Sequence, residues 1–294
     1  MKVLLLGSGG QVGTSIKLQK PKEINLISFT KKDLDITNQK DCEEKFINHK
    51  PDWVINAAAY TEVDNAEKNR NLAFSVNRDG PKFISEILKD IGGKLMHIST
   101  DFVFDGNSSQ PYKVSDKKNP ISIYGLSKSL GEDEIRRILF KKNNSIILRT
   151  SWIMGPFGVN FAKTMLKMHC EKDTFKVVND QLGSPTSSIS LANICWKIIQ
   201  KNLNNNLNFP PIMHWRDEGI TSWYEVAKEI GYIGYKLKKI PKISVLEPIK
   251  SIEYKTLAKR PLYSVLDTSD TKKILNVNAK HWKKTLLHSF KYHH

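Results

Sequence analysis

Seven residues near the amino terminus, Gly7-Ser8-Gly9-Gly10-Gln11-Val12-Gly13, restrict the fold more than any other part of the chain. They follow the apolar run Val3–Leu6 directly and precede a helix-like stretch. A strand, a G-x-x-G-x-x-G turn and a helix in that order form a phosphate cradle. Glycine allows the tight turn and the close approach of an anion, and the helix N-terminus offers free N–H groups to a pyrophosphate. A strand-to-helix turn with no ligand would also use glycine, so the position after the first strand is what points to a dinucleotide.

The rest of the first half repeats this alternation. Val3–Leu6, Ile24–Ser28, Trp53–Ala57, Leu95–Ser99 and Ile146–Leu148 read as buried strands. Between them lie amphipathic stretches such as Pro81–Ile91, with Phe83, Ile84, Ile87 and Leu88 at helical spacing. The expected fold class is therefore α/β, a doubly wound parallel sheet of the Rossmann type over residues 1–150. Past Trp152 the pattern is less regular. Gly155–Gly158 marks a loop, and an Asn-rich turn at Asn202–Asn208 precedes a short strand, Pro211–Trp215. Residues 151–294 are expected to form mainly a smaller substrate-binding domain, interleaved with the sheet.

Composition excludes several classes. The chain has 294 residues, 39% hydrophobic and 26% charged, as soluble globular proteins do, and no apolar run reaches a membrane span of ~18 residues. Val3–Gly7 is too short for a signal-peptide core, which gives a cytoplasmic expectation. Cys42, Cys170 and Cys195 are far apart, without metal-ligand or disulfide spacing, and are expected to be reduced packing residues. His281, His288, His293 and His294 lack acidic or cysteine companions and read as surface residues, so no metal is expected. The net charge of +16 is scattered in ones and twos, which favours a small anionic ligand over nucleic acid.

Further residues refine the ligand. Ile24–Ser28 ends without the acidic residue that would bind an NAD ribose and runs into Phe29-Thr30-Lys31-Lys32. Thr30 and Lys31 would welcome a 2′-phosphate, so the reading leans to NADPH with NADH as the alternative. Asp35-Ile36 follows, where a carboxylate can meet the adenine amino group and an apolar side chain can cover the ring. Tyr124 and Lys128 stand four residues apart, on one face of a helix. The same spacing recurs at Tyr224/Lys228, Tyr232/Lys236 and Tyr235/Lys239, but only the first pair lies in the nucleotide-binding half, one loop after Ser99-Thr100-Asp101. These residues permit carbonyl reduction. Tyr124 would act as the acid, its phenol brought toward the working range by the Lys128 cation, and Thr100 or Ser99 would hydrogen-bond the substrate carbonyl. Lys128 would also reach the nicotinamide ribose.

With these motifs stand Leu34-Asp35-Ile36-Thr37, Asn56–Thr61, Val63–Glu67, Ser99–Gly106 and Arg149–Trp152. Further along are Asn179–Thr186, Gly219–Glu225 and Arg260–Asp267. On this set the chain resembles the extended short-chain dehydrogenase/reductases, and specifically the dTDP-4-dehydrorhamnose reductase family, nearly end to end. The resemblance implies NAD(P)H-dependent reduction at C4 of dTDP-4-dehydro-L-rhamnose, a step in making dTDP-L-rhamnose for surface polysaccharide. Beside Gly7 and Gly13, which the glycine loop itself assigns to the cofactor, it implies cofactor contacts at Gly10, Gln11, Val12, Asp35, Ile36, Ala59, Tyr60 and Thr61, and substrate contacts at Thr100, Asp101 and Trp152. Tyr124 matches the proton donor and Lys128 its partner. The chain departs from the family at Phe102, often tyrosine, and at Ser15, where some members carry an acidic residue of a metal-bridged dimer. A monomer or homodimer is expected. The resemblance also leaves room for a related branch that serves as the regulatory β subunit of methionine adenosyltransferase, and for another nucleotide-sugar reductase or epimerase.

Overall fold

The computed structural model describes residues 1–205 and 209–292. Its strands are β1 (Lys2–Leu6), β2 (Asn25–Phe29), β3 (Trp53–Asn56), β4 (Lys94–Thr100), β5 (Ser145–Thr150), β6 (Ile153–Met154), β7 (Thr174–Val178), β8 (Leu182–Gly183), β9 (Thr186–Ser187), β10 (Ile212–His214), β11 (Thr221–Ser222) and β12 (Val245–Ile249). Its α-helices are α1 (Gln11–Leu18), α2 (Gln39–His49), α3 (Val63–Lys68), α4 (Arg70–Phe74), α5 (Gly80–Ile91), α6 (Ile123–Leu139), α7 (Phe161–Glu171), α8 (Ser188–Asn205), α9 (Trp223–Lys236), α10 (Ser269–Leu275) and α11 (Trp282–Lys291). A π-helical turn, Ser75–Asp79, joins α4 to α5, and a 3₁₀ turn, Asp101–Val103, follows β4.

A six-stranded sheet in the order β10-β5-β4-β3-β1-β2 is parallel throughout. Its strands are apolar on both faces because helices cover both. Val3, Leu5, Ile55, Met96 and Leu148 point to one side, against Ile16 of α1 and the Leu191–Ile199 face of α8. Leu4, Leu6, Val54, Leu95 and Ile147 point to the other, against Phe46 of α2, Ile84 and Leu88 of α5 and Ile135 of α6. From β1 the chain moves outward to β2 and then back across to β3. That reversal opens a crevice at the carboxyl ends of the strands, where ligands bind in open α/β sheets.

Beyond β5 a third apolar cluster gathers Met165 of α7, Val177 of β7, Ile230 of α9 and Trp282 of α11, with β12 paired to β7. The strand expected at Pro211–Trp215 is β10, which pairs with β5 in the central sheet. Two expectations change here. The turn expected at Asn202–Asn208 is helical as far as Asn205, with 206–208 outside the described residues, as are His293 and His294. Cys42 and Cys195 are buried, but Cys170, expected to pack, is exposed. Ser15 is wholly buried and donates to Ser188 Oγ at 2.8 Å, tying α1 to α8.

One buried ion pair fixes α6 on the sheet. Glu132 takes Arg149 Nε at 2.9 Å and Nη2 at 2.7 Å, and Ser99 Oγ at 2.6 Å. Burial alone would raise the Glu132 pKa, but the Arg149 hydrogen bonds and charge, with Lys118, hold it below the usual carboxylate range. Removing one member of such a pair strands the other. Glu132→Ala should therefore lower stability by roughly 3–5 kcal/mol, measured by urea denaturation of the purified variant.

Candidate active site

The glycine loop lies at the crevice between β1 and β3. Gly7 has φ +75°, and a Cβ there would stand 2.6 Å from Ala58 N; one on Gly13 would stand 2.2 Å from Gly7 O. These two glycines are required by the packing of the loop on itself and on the exit of β3. At Gly10 a Cβ would meet nothing closer than Gly7 O at 3.5 Å. Gly10 caps α1 without a side-chain hydrogen bond. It is exposed, and the space in front of it lies at a helix N-terminus. A dinucleotide pyrophosphate fits this cradle.

The adenosine end is set by the exit of β2. Thr30 lies beside Gly9, and its N–H and hydroxyl both donate to Asp33 Oδ2, at 2.8 and 2.7 Å. Lys31 and Lys32 are exposed. Asp35 Oδ1 accepts from Thr37 N and Oγ1. Ile36 departs from expectation: its side chain is buried against Gly80, so it can present backbone to an adenine but not an apolar cover. Val12 is likewise a core side chain that can offer only its peptide group. Ala59, Tyr60 and Thr61 follow β3. Tyr60 is held through its N–H and C=O by Asn77 of the π turn, at 2.9 and 3.0 Å. Asn77 also donates to Ser127 of α6 at 3.0 Å.

Next to the cradle opens a cleft of about 590 Å³ that Gln11, Thr61, Thr100, Asp101, Tyr124 and Trp152 all line. Gln11 and Trp152, 141 positions apart in the sequence, thus share one cavity with residues no motif had assigned: Lys176, Gln181, Trp223, Tyr254 and Arg260. Trp152 and Trp223 stack with ring centroids 3.7 Å apart, and Phe161 leans on Trp223 at 4.5 Å. Phe102 sets its ring edge against Tyr124 at 5.5 Å. Arg260 is bound to Asp64 of α3 at 2.7 Å, which fastens a late loop over the cleft rim. The blocks containing Gln181, Trp223 and Arg260 are visible in the sequence, but nothing in their spacing says which side chain faces the cavity.

Thr100 ends β4 and accepts from Phe102 N, capping the 3₁₀ turn, while its hydroxyl donates to Asp101 Oδ1 at 3.0 Å. Ser99 is committed to Glu132, which leaves Thr100 as the hydroxyl beside Tyr124. Tyr124 and Lys128 sit one turn apart near the start of α6, whose Ser122 cap accepts from Gly125 N. The expected effect of lysine on the phenol is absent. Burial, with the Asp101 charge adding to it, pushes Tyr124 up to about 12 against a hydrogen bond from Thr100. Lys128 is itself buried, bonded to Ile98 O at 2.8 Å and His97 Nε2 at 3.0 Å. Desolvation brings it down to about 8, against the pull of Glu132. Among the described residues no group of three or more His, Cys, Asp and Glu could hold a metal, and no helix is long and apolar enough to cross a membrane. The decoy pairs lie on or beside α9, where Lys228 and Lys236 cover the rings of Tyr224 and Tyr232.

The model of a family described as RmlD substrate binding domain matches residues 1–293. The chain belongs to this family. Among its relatives is the dTDP-4-dehydrorhamnose reductase of Aggregatibacter actinomycetemcomitans, 36% identical over 287 residues that make up 97% of each chain. A solved dTDP-4-dehydrorhamnose reductase from Clostridium acetobutylicum superposes with a TM-score of 0.90 at 36% identity, over 99% of this chain and 98% of that one. Another, from Bacillus anthracis and solved in complex with NADP, gives 0.87 at 34% identity over 98% of both chains. Membership of the RmlD family thus accounts for the whole chain, including the late blocks that line the cleft.

Asp101 offers a test of the cleft's polarity. It is 2% exposed, and its Oδ2 has no partner at hydrogen-bonding geometry among the described residues. Burial raises it to about 6, against hydrogen bonds from Ser264 and Thr100. The folded protein therefore holds the Asp101 proton more tightly than the unfolded chain, and stability falls as pH rises from about 4 toward 6. Asp101→Asn should be more stable than the parent at pH 7 by on the order of 2–3 kcal/mol, with the gain gone near pH 4, in parallel urea titrations.

Proposed function

We propose that the chain reduces the C4 keto group of dTDP-4-dehydro-L-rhamnose to dTDP-L-rhamnose with NADPH, NADH being the alternative. The observation that carries this reading is the single cleft in which the Thr100 and Tyr124 hydroxyls meet beside Gln11, the first residue of the glycine-loop helix. The named activity of relatives more than 30% identical over nearly the whole chain supports it. When bound, the nicotinamide supplies the hydride.

The pyrophosphate is held at Gly7, Gly10, Gln11, Val12 and Gly13, and a 2′-phosphate at Thr30 and Lys31. The adenine end is received by Asp35 and the Ile36 backbone, and the nicotinamide end by Ala59, Tyr60, Thr61 and Lys128. Thr100 donates to the C4 oxygen as charge develops on it, and Tyr124 gives that oxygen its proton. A phenol pushed up by burial keeps its proton until an alkoxide forms next to it. Trp152 with Trp223 makes a flat apolar wall that suits a deoxysugar face, and Asp101 supplies an acceptor for a sugar hydroxyl. Lys176 and Arg260, on the part of the chain after residue 150, bring positive charge to the diphosphate. In this reading residues 1–150 serve mainly the dinucleotide and 151–294 mainly the sugar nucleotide.

Purified protein with NADPH and dTDP-4-dehydro-L-rhamnose should lose nicotinamide absorbance, and a UDP-linked ketosugar should be a poorer substrate. NADPH binding without oxidation of either would sink the reductase reading. Tyr124→Phe should cost at least ~10²-fold in kcat with NADPH affinity kept; near-normal turnover would remove Tyr124 from its role. Lys31→Ala should weaken NADPH more than NADH in a binding titration, since only the former carries the extra phosphate.

A further inference from the structure

Beneath the cleft the buried side chains of Asn56, His97 and Lys128 and the half-buried Ala58 N–H form a chain whose donors and acceptors can be assigned from geometry. Ala58 N–H donates to Asn56 Oδ1 at 3.1 Å. A peptide N–H can only donate, so this bond fixes the amide's orientation and leaves Asn56 Nδ2, also a donor, facing His97 Nδ1 at 3.2 Å. His97 Nδ1 must then be the bare, accepting nitrogen. The ring is fully buried and neutral, its pKa driven far down first of all by desolvation, so its one proton sits on Nε2. That N–H points at Lys128 Nζ, 3.0 Å away. An ammonium has no lone pair to accept it, whereas a neutral amine accepts here and still donates to Ile98 O at 2.8 Å.

We infer that this arrangement is that of a neutral Lys128 amine, and that charging the amine is coupled to a tautomer exchange at His97 and a half-turn of the Asn56 amide. The proton balance is simple. Solvent supplies one proton to Nζ, the His97 proton is relocated from Nε2 to Nδ1, and Nε2 becomes the acceptor for the ammonium. Asn56 then turns Oδ1 toward His97 and Nδ2 toward Ala58, whose N–H loses its acceptor. Ala58 packs on Gly7, so the released donor lies beside the glycine loop, and an anion bound there favours the charged amine. His97 and Asn56 are positioning residues, acting on the site through Lys128.

The other groups around Lys128 leave this exchange as the adjustable part. Tyr124 and Glu132 lie one turn away on either side along α6, and Glu132 is held by Arg149 of β5 and by Lys118. Asp101, from the 3₁₀ turn, bears on Tyr124, and Asn77, from the π turn, is spent on Tyr60 and Ser127. The exchange is a property of the hydrogen-bonded ground state and does not depend on which substrate the cleft takes.

Long-range proton–nitrogen spectra of the full chain, labelled with ¹⁵N in histidine and lysine and recorded without added nucleotide, test it. At alkaline pH His97 should show a protonated Nε2 and a bare Nδ1. As Lys128 charges on acidification, the proton should move to Nδ1 with the same midpoint. A protonated Nδ1 beside a neutral Lys128, or a tautomer unchanged through the Lys128 titration, would overturn the inference. Asn56→Asp gives a second reading, because a carboxylate only accepts: it keeps the Ala58 bond, demands a proton on Nδ1, and should raise the Lys128 midpoint by about one unit or more. An unchanged midpoint in that variant would count equally against it.

Discussion

Glu132 and Arg149, paired in the interior, hold α6 against β5, and the site depends on that contact. The same carboxylate takes the hydroxyl of Ser99, so the end of β4 is locked to the helix that carries Tyr124 and Lys128. A buried pair gains nothing in stability over well-packed apolar side chains. What it gives here is direction, since a bidentate guanidinium accepts one carboxylate orientation and apolar packing would accept several. Thr100 and Tyr124 thereby face each other from two elements that share no local sequence.

Much of this was legible in the chain. β1 and the glycine loop announced themselves through an apolar run ending in glycines, and the central strands through runs with no polar face, because both sheet faces are covered. Strand ends were legible only to within one or two residues, since a ladder continues into side chains such as Lys94 and Thr100 of β4, and Arg149 and Thr150 of β5, that carry no apolar signal. β10 is three residues long, too short to show which sheet it joins. Its assignment rests on a parallel pairing with β5 from 65 residues away in register terms, His214 opposite Arg149.

The site divides in the same way. Residues used through backbone or at a strand end, such as Gly10 and Thr100, stand in patterns whose geometry follows from the pattern. Ile36 was misread because a dipeptide does not say which way its side chain turns, and Gly80 leaves a niche that the core fills with it. The Tyr124 phenol was misjudged for a different reason: four residues of helix bring a lysine near, but whether its nitrogen points at the phenol or into the sheet depends on His97 and the Ile98 carbonyl, which belong to another strand. Trp223 and Arg260 were invisible as cavity residues because aromatic and basic side chains are common on any surface.

The place of β10 also sets an order in time. Until residues 212–214 emerge during synthesis, β5 is the outer strand of a parallel sheet, with a row of unpaired peptide groups along its edge. The face that α8 covers is bare for nearly as long, with Ile16 and the Trp196 ring not yet together. The nascent chain therefore carries a sticky, incomplete sheet through the making of some sixty residues after Thr150. Its exposure to mispairing ends when β10 docks, well before the last helices are made.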